Sequence, residues 1–278
     1  MKIDSLIEDI HTLVTEGVEE TTPKFLEELG ESIKNSIKRQ MENRKQNTNL
    51  RMSNIGKPNR QLWYECNGTK GEPLLPDTRI KFMFGDLVEA LMLYLVKEAG
   101  HEVTHEQHEV QIKGIKGHID CKIDGKVVDV KSASAFAFQK FKNGTLPEND
   151  PFGYMAQISG YIYATEGSNE GGFLALNKQS GAITYMPVED MDMVNIEKRV
   201  KEIKKVVKQK EIPGRCYEPV ADGKSGNMKL GVNCSYCDFK WECWPKLRLF
   251  LYKDKPRYLT HVEREPKDTI PEVKHNEV

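Results

Sequence analysis

The amino-acid sequence predicts an α/β fold of the mixed, α+β kind, a small mixed sheet flanked by helices. Three observations carry that expectation. Apolar residues recur at helical spacing near the N-terminus and again over 80–98. Alternating runs flank Asp124-Gly125, a strong two-residue hairpin turn. A second pair of short apolar runs, 172–176 and 182–186, precedes a strongly charged helical stretch. The order helix, strands, helix, strands, helix suits a sheet covered by helices.

The chain has 278 residues, enough for one large domain or a core with appendages, and enough to bury a sizeable interior. Its 41 Lys and Arg balance 42 Asp and Glu, for a formal net charge of -1. A generally basic nucleic-acid binder is more lopsided, so any such contact comes from local patches. The longest apolar candidate, Phe82 to Val96, is broken by Asp86 and Glu89, so no bilayer span is expected. Residues 1–8 are acidic and amphipathic, unlike a secretory signal, and an intracellular protein without membrane contact is expected. Six cysteines in such a chain, three of them crowded into one segment, point to ligation rather than disulfides.

Residues 1–52 are expected to be helical. Ile3, Leu6, Ile7, Ile10, Leu13 and Val14 mark one apolar stripe, and Phe25, Leu26, Leu29, Ile33 and Ile37 a second. Lys34 to Arg51 is richer in bases, which suits a solvated helix face or a phosphate-facing one. Ser53 to Cys66 reads as loop-rich. Ile80 to Glu98 reads as a helix apolar on most sides, hence buried. His101 to Ile112 alternates like one strand. Phe136 to Phe141 is a short helix, and Asn149-Asp150-Pro151 starts another that runs to Tyr163. Met191 to Lys210 is a charged helix, and Gly223 to Gly231 a glycine-punctuated loop. From Lys253 on, the chain is polar and expected to be loosely held. The expected divisions are 1–52, a core over 53–190, a C-terminal helix with the cysteine segment over 191–250, and a polar tail over 251–278.

The segment Lys116 to Lys131 is the most informative. With Asp124-Gly125 as the loop, Ile123 pairs with Lys126, Asp120 falls opposite Asp129, and His118 falls opposite Lys131. Side chains alternate, so Ile119, Cys121, Ile123, Val128 and Val130 share a core face. Asp120, Asp129 and Lys131 share the other, with the two acids about 5 Å apart at Cβ. Acids that close need a cation or a shared proton. Their hard oxygens suit Mg²⁺ or Mn²⁺. Lys131 is placed to polarise a phosphate or orient a water. Phosphodiester hydrolysis needs these parts. A solvent-facing polar side of an edge hairpin is the competing reading.

Gly117-His118-Ile119-Asp120, followed by Val128-Asp129-Val130-Lys131-Ser132, resembles the PD-(D/E)XK nuclease superfamily. It is most similar to the RecB-like exonuclease branch, which includes CRISPR-associated and phage exonucleases. Gly85-Asp86-Leu87-Val88-Glu89 looks like the branch's helical motif, although Glu89 stands where the branch often has His. Gln157-Ile158-Ser159-Gly160-Tyr161 is similar to its Gln-x-x-x-Tyr motif, with both polar groups on one helix face. The resemblance covers roughly Ser53 to Trp244. It implies a restriction-endonuclease-like core that holds Mg²⁺ or Mn²⁺ on Glu89, Asp120, Asp129 and the Val130 carbonyl. Asp120, Asp129, Lys131, Gln157 and Tyr161 are then the catalytic set. Single-stranded or end-containing DNA is the implied substrate. Recombination, repair or phage DNA metabolism is the implied setting, that of an infected host among them.

Cys234, Cys237 and Cys243 form C-x2-C-x5-C and need a fourth ligand. Cys66 and Cys216 are the candidates, since Cys121 points into the expected core. Four thiolates serve zinc or an iron–sulfur cluster. One upstream and three downstream cysteines resemble the [4Fe–4S] nucleases of the same branch, which implies Cys66, Cys234, Cys237 and Cys243 as cluster ligands, with Zn²⁺ the alternative.

Phosphate contacts are expected from Lys57, Arg60 and Lys140, with a further patch at Lys201, Lys204, Lys205 and Lys208 if that helix is not simply solvated. Trp63, Tyr64 and Phe138 are candidates either for base stacking or for packing. A DNA exonuclease is the favoured reading. A structure-specific or nicking endonuclease on the same core, or a catalytically silent iron–sulfur DNA-binding protein, are the alternatives.

Overall fold

The computed structural model describes residues 2–42, 48–253 and 255–274. In chain order the helices are α1 (Leu6–Glu16), α2 (Pro23–Met41), α3 (Asn59–Cys66), α4 (Pro76–Glu98), α5 (Ala135–Lys142), α6 (Tyr154–Ala164), α7 (Ile196–Val206), α8 (Val232–Ser235) and α9 (Lys240–Cys243). The strands are β1 (Val103–Thr104), β2 (Glu109–Ile112), β3 (Ile115–His118), β4 (Cys121–Ile123), β5 (Lys126–Ala133), β6 (Gly171–Asn177), β7 (Ile183–Pro187), β8 (Val220–Ala221), β9 (Met228–Lys229), β10 (Arg248–Tyr252), β11 (Lys255–His261) and β12 (Glu272–Val273). Two compact units result, 1–56 with 74–202, and 57–73 with 203–278.

The first unit is built on a five-stranded sheet in the order β1-β4-β5-β6-β7. The β5–β6 pair is parallel and the others antiparallel, so the sheet is mixed, as the order of elements predicts. A parallel pair needs a crossover; α5 and α6 supply it. Ile3, just before α1, packs with Leu6 and Ile10 of α1 and Met92, Leu93 and Val96 of α4 against Cys121, Ile123, Val128, Val130 and Leu174. Phe173 lies in β6 with no exposed surface, 5.4 Å from the ring of Phe141 in α5. This is the mixed α/β arrangement expected, a central sheet flanked by helices.

Local chemistry sets the boundaries. Pro23 and Pro76 open α2 and α4 at positions whose N–H has no helical partner. Gly17 closes α1 with φ 74°. Ser134 caps α5 by accepting from Ala137 N–H at 3.3 Å. Asp124 and Gly125 have φ 48° and 83°, the paired positive values of a type I′ turn. The turn is held from outside. Buried His101 places Nδ1 2.7 Å from Asp124 Oδ2 and Nε2 3.1 Å from Asp9 Oδ2 of α1.

Several expectations need correction. The run 101–112 is two short strands, because His105 and Gln107 adopt φ 54° and 51°, which breaks the extended chain. The first arm of the hairpin is also broken, at Ile119-Asp120. Its outer part, β3, pairs with β2 in a separate two-stranded sheet, so His118 sits opposite Glu109 rather than Lys131. Helix α4 is not buried on most sides, since Ile80, Phe82 and Phe84 are about half exposed. The loop-rich stretch 53–66 contains α3. The charged helix is shorter than 191–210, and α6 begins at Tyr154, with Asp150 Oδ2 accepting from Met155 N–H at 2.7 Å. Residues 43–47 of the basic stretch lie outside the described residues; Arg39 and Gln40 within it donate to Asp86 Oδ2 at 3.0 and 2.8 Å.

The second unit carries its own five-stranded antiparallel sheet, β12-β10-β11-β9-β8. Residues from Lys253 on, expected to be loosely held, supply β11 and β12. Leu249, Phe250 and Leu259 are buried there, which holds a polar stretch in place through a few apolar anchors. Among the described residues, no helix is long and apolar enough to cross a membrane.

Candidate active site

The type I′ turn fixes the register that the site depends on. Ile123 pairs with Lys126, Lys122 with Val127, and Cys121 with Val128. The next position places Asp120 beside Asp129. The chain leaves the ladder at that step, and Asp120 Oδ2 accepts from Val130 N–H at 2.8 Å in its place. Asp129 is 1% exposed on β5. The Lys131 ammonium forms an ion pair with its Oδ2. From α6, Gln157 Nε2 reaches Asp129 Oδ1 at 3.3 Å and Tyr161 Oη at 3.3 Å. The two polar groups four residues apart thus meet on one helix face and aim at β5.

Glu89 comes from α4. Burial raises its carboxyl to about 7, with the charges of Asp129 and Asp86 adding to the effect. Burial also raises Asp120 well above the carboxylate range, helped by Asp129 and then Glu89. Burial opposes charge on Lys131, yet Asp129 and Asp120 outweigh it and keep the ammonium protonated. Tyr161 is pushed up to about 12 by burial and by Asp129 and Asp120, against the hydrogen bond from Gln157, so it stays a phenol at neutral pH. Three acids therefore act on one another's charge beside one lysine. Among the described residues, no three His, Cys, Asp or Glu side chains are gathered closely enough to hold a metal ion as they stand. The donor set is hard oxygen in excess of its cation, which fits a divalent ion of the Mg²⁺ or Mn²⁺ type.

A pH dependence follows for the metal-free protein. Glu89 is raised on folding, so its contribution is fully present below the unfolded value and is lost as pH rises through about 7. Glu89→Gln is neutral at every pH. Its stability relative to wild type is expected to be similar at pH 5 and higher at pH 8, read by urea denaturation. A stability gap independent of pH would contradict the assignment.

Tyr154, the first residue of α6, escaped the sequence reading. Lys131 Nζ sits 4.6 Å from the centre of its ring, an approach that holds the ammonium by its charge on the ring face. The proline-led helix start just upstream was visible, but not that this ring would lie under a lysine from β5.

Three of the cations expected to meet phosphate have partners within the protein. Lys57 pairs with Glu65 at 2.6 Å. Arg60 donates to Pro213 O at 2.7 Å and to Tyr64 Oη at 3.1 Å. Lys140 donates to Asn149 O at 2.7 Å. Phe138 and Tyr64 are buried and pack, Tyr64 against Phe239 at 5.4 Å, which removes both as base-stacking surfaces. Trp63 donates its indole N–H to Gln209 O at 2.9 Å.

Five of the six cysteines lie in the second unit. Helix α3, which ends at Cys66, shares that unit with Cys216, Cys234, Cys237 and Cys243. Burial raises the Cys234 thiol to about 11, with Cys243 and Cys216 contributing. Burial raises Cys237 to about 12, with Asp238, Cys234 and Cys243 contributing. Two residues before Cys66, Tyr64 is raised by burial and also by Cys243. Lys240 is buried, donates to Cys237 O at 3.2 Å and pairs with Glu72, and Trp241 donates to the same carboxylate. Cys121 is fully buried in the sheet core.

No family model and no curated protein matches the chain. Among solved structures it is similar to the crystal structure of SSO0001, at 15% identity and a TM-score of 0.44, covering 77% of this chain and 95% of that one. It is also similar to an alkaline exonuclease, LHK-Exo from Laribacter hongkongensis, at 16% identity and a TM-score of 0.42, covering 58% and 89%. The same exonuclease in complex with dAMP gives 15% identity and a TM-score of 0.40, covering 58% and 88%.

Proposed function

We propose that the chain is a metal-dependent DNA exonuclease that hydrolyses phosphodiester bonds. One observation carries the reading. A type I′ turn sets Asp120 beside Asp129, and Glu89 and Lys131 share their electrostatic field. Glu89, Asp120 and Asp129, with the Val130 carbonyl, would hold Mg²⁺ or Mn²⁺, which supplies an activated water and neutralises charge on the phosphate. Lys131 keeps its proton and presents a fixed positive charge to the scissile phosphate. Gln157 holds the Asp129 carboxylate in orientation, and the Tyr161 phenol keeps Gln157 in place. Recombination, repair or phage DNA metabolism is the setting we propose, on the resemblance alone.

End-labelled linear DNA and closed-circular single-stranded DNA, each with Mg²⁺ or Mn²⁺, test the reading. Release of label from linear DNA with the circles intact is the expected result. Cut circles would replace exonuclease with endonuclease, and no cleavage of either would overturn the hydrolase reading.

We further propose that Cys66, Cys234, Cys237 and Cys243 bind a [4Fe–4S] cluster, with Zn²⁺ the alternative metal. Four half-buried thiols in one unit supply the soft donors such a group takes. Burial holds the Cys234 and Cys237 thiols above the usual thiol range, the form a bound metal would deprotonate. Cys66→Ser is expected to cost the brown colour and much of the soluble protein, whereas Cys216→Ser keeps both. Colour lost in Cys216→Ser and kept in Cys66→Ser would exchange the fourth ligand. Colourless wild-type protein that holds zinc after anaerobic purification would overturn the iron assignment.

A further inference from the structure

Gln107 makes two contacts that no sequence motif announces. Its side-chain Nε2 donates to Glu89 Oε1 at 2.8 Å, reaching across to α4. Its backbone N–H donates to Asp120 O at 3.0 Å. Asp120 stands at the break between β3 and β4, where the regular ladder has lapsed. Its carbonyl is taken by Gln107 and its carboxylate by Val130 N–H, so it is held at both ends. Gln107 itself adopts φ 51°, a left-handed region that residues other than Gly and Asn rarely enter. The neighbouring Ile119 N–H donates to His108 O at 3.1 Å and fastens the same turn to the same break.

We infer that Gln107 is a positioning residue that sets Glu89 and Asp120 relative to each other for the divalent cation. This rests on the metal reading above. The residue type suits the task. A neutral amide orients one carboxylate oxygen and leaves the other oxygen, and the charge, for the cation. A lysine or arginine there would compete with the ion for the same charge. The left-handed backbone aims the amide toward α4 while its N–H meets Asp120.

The test uses two variants of the full chain, Gln107→Gly and Gln107→Asn. Gly adopts the left-handed region freely and Asn more readily than Gln, so neither strains the turn. Gly lacks the amide, and Asn is one methylene shorter. Mn²⁺ uptake, read by the loss of the free-ion electron paramagnetic resonance signal, is expected to weaken about three- to tenfold in both. Thermal melting without metal is expected to match wild type. Variants that bind Mn²⁺ as wild type does would overturn the inference and leave the metal reading standing. Variants that lose melting temperature in step with Mn²⁺ binding would make Gln107 merely structural. Wild type that takes up no Mn²⁺ would sink both.

Discussion

Asp129→Asn is expected to reduce Mn²⁺-dependent DNA cleavage by about 10³-fold while DNA binding survives. Asp129 is the group on which the other parts converge. Its carboxylate meets the Lys131 ammonium, takes the Gln157 amide at 3.3 Å, and contributes to the shifts of Glu89, Asp120 and Tyr161. Asn keeps the volume and removes the charge, so the carboxylate set loses a hard ligand without leaving a cavity. Asp129→Ala goes further, because it strips a buried lysine of its nearest counter-ion. Breaking such a pair costs about 3–5 kcal/mol. The Ala variant is therefore expected to lose stability as well as activity, and a comparison of the two separates chemistry from folding. Cleavage by Asp129→Asn within a few-fold of wild type would remove Asp129 from the reaction.

Gly56→Ala is expected to destabilise the first unit by about 3 kcal/mol or more, read by urea denaturation. A Cβ at Gly56 would stand 2.2 Å from the carbonyl oxygen of Gly153 and 2.5 Å from its Cα, so backbone must move. Gly153 cannot yield easily, because it opens α6 with φ 76°. The segment it meets is fixed too. Met52 and Ile55 are fully buried, and Arg199 Nε donates to Ile55 O at 2.8 Å. A Cβ at Gly160, further along α6, would stand 2.9 Å from Ile55 Cδ1 and 3.2 Å from Met52 Cε. Pushing α6 away would carry Gln157 off Asp129, so residual activity is expected to fall with stability. Melting and cleavage like wild type would show that the two backbones can part without cost.

The site was legible where local geometry is strict. Asp124-Gly125 admits one common two-residue turn, and counting from it gives the observed pairing from Cys121↔Val128 outward. The Gln157–Tyr161 pairing follows from helical spacing. Legibility failed where tertiary contacts override a local pattern. The alternation through 101–112 and 116–123 reads as unbroken strand, yet positive φ values at His105 and Gln107 and the break at Asp120 split it. That split draws Gln107 to Glu89, and no periodicity could announce it. The second unit hid for a different reason. Its strands β8, β9 and β12 have two residues each, and β11 begins Lys-Pro-Arg, so polar composition outweighed the few buried anchors Leu249, Phe250 and Leu259. Tyr154 marks the limit of spacing arguments at the site, since its ring meets Lys131 across the crossover from β5 to α6.

Mn²⁺ titration of wild type beside Glu89→Gln/Asp120→Asn/Asp129→Asn puts the least between claim and readout. Three neutral amides fill the same space as three acids and leave Lys131 in place. Saturable Mn²⁺ uptake by wild type and its loss in the triple variant is the result expected if these side chains form a cation site. Equal uptake by both proteins, or none by either, would contradict it.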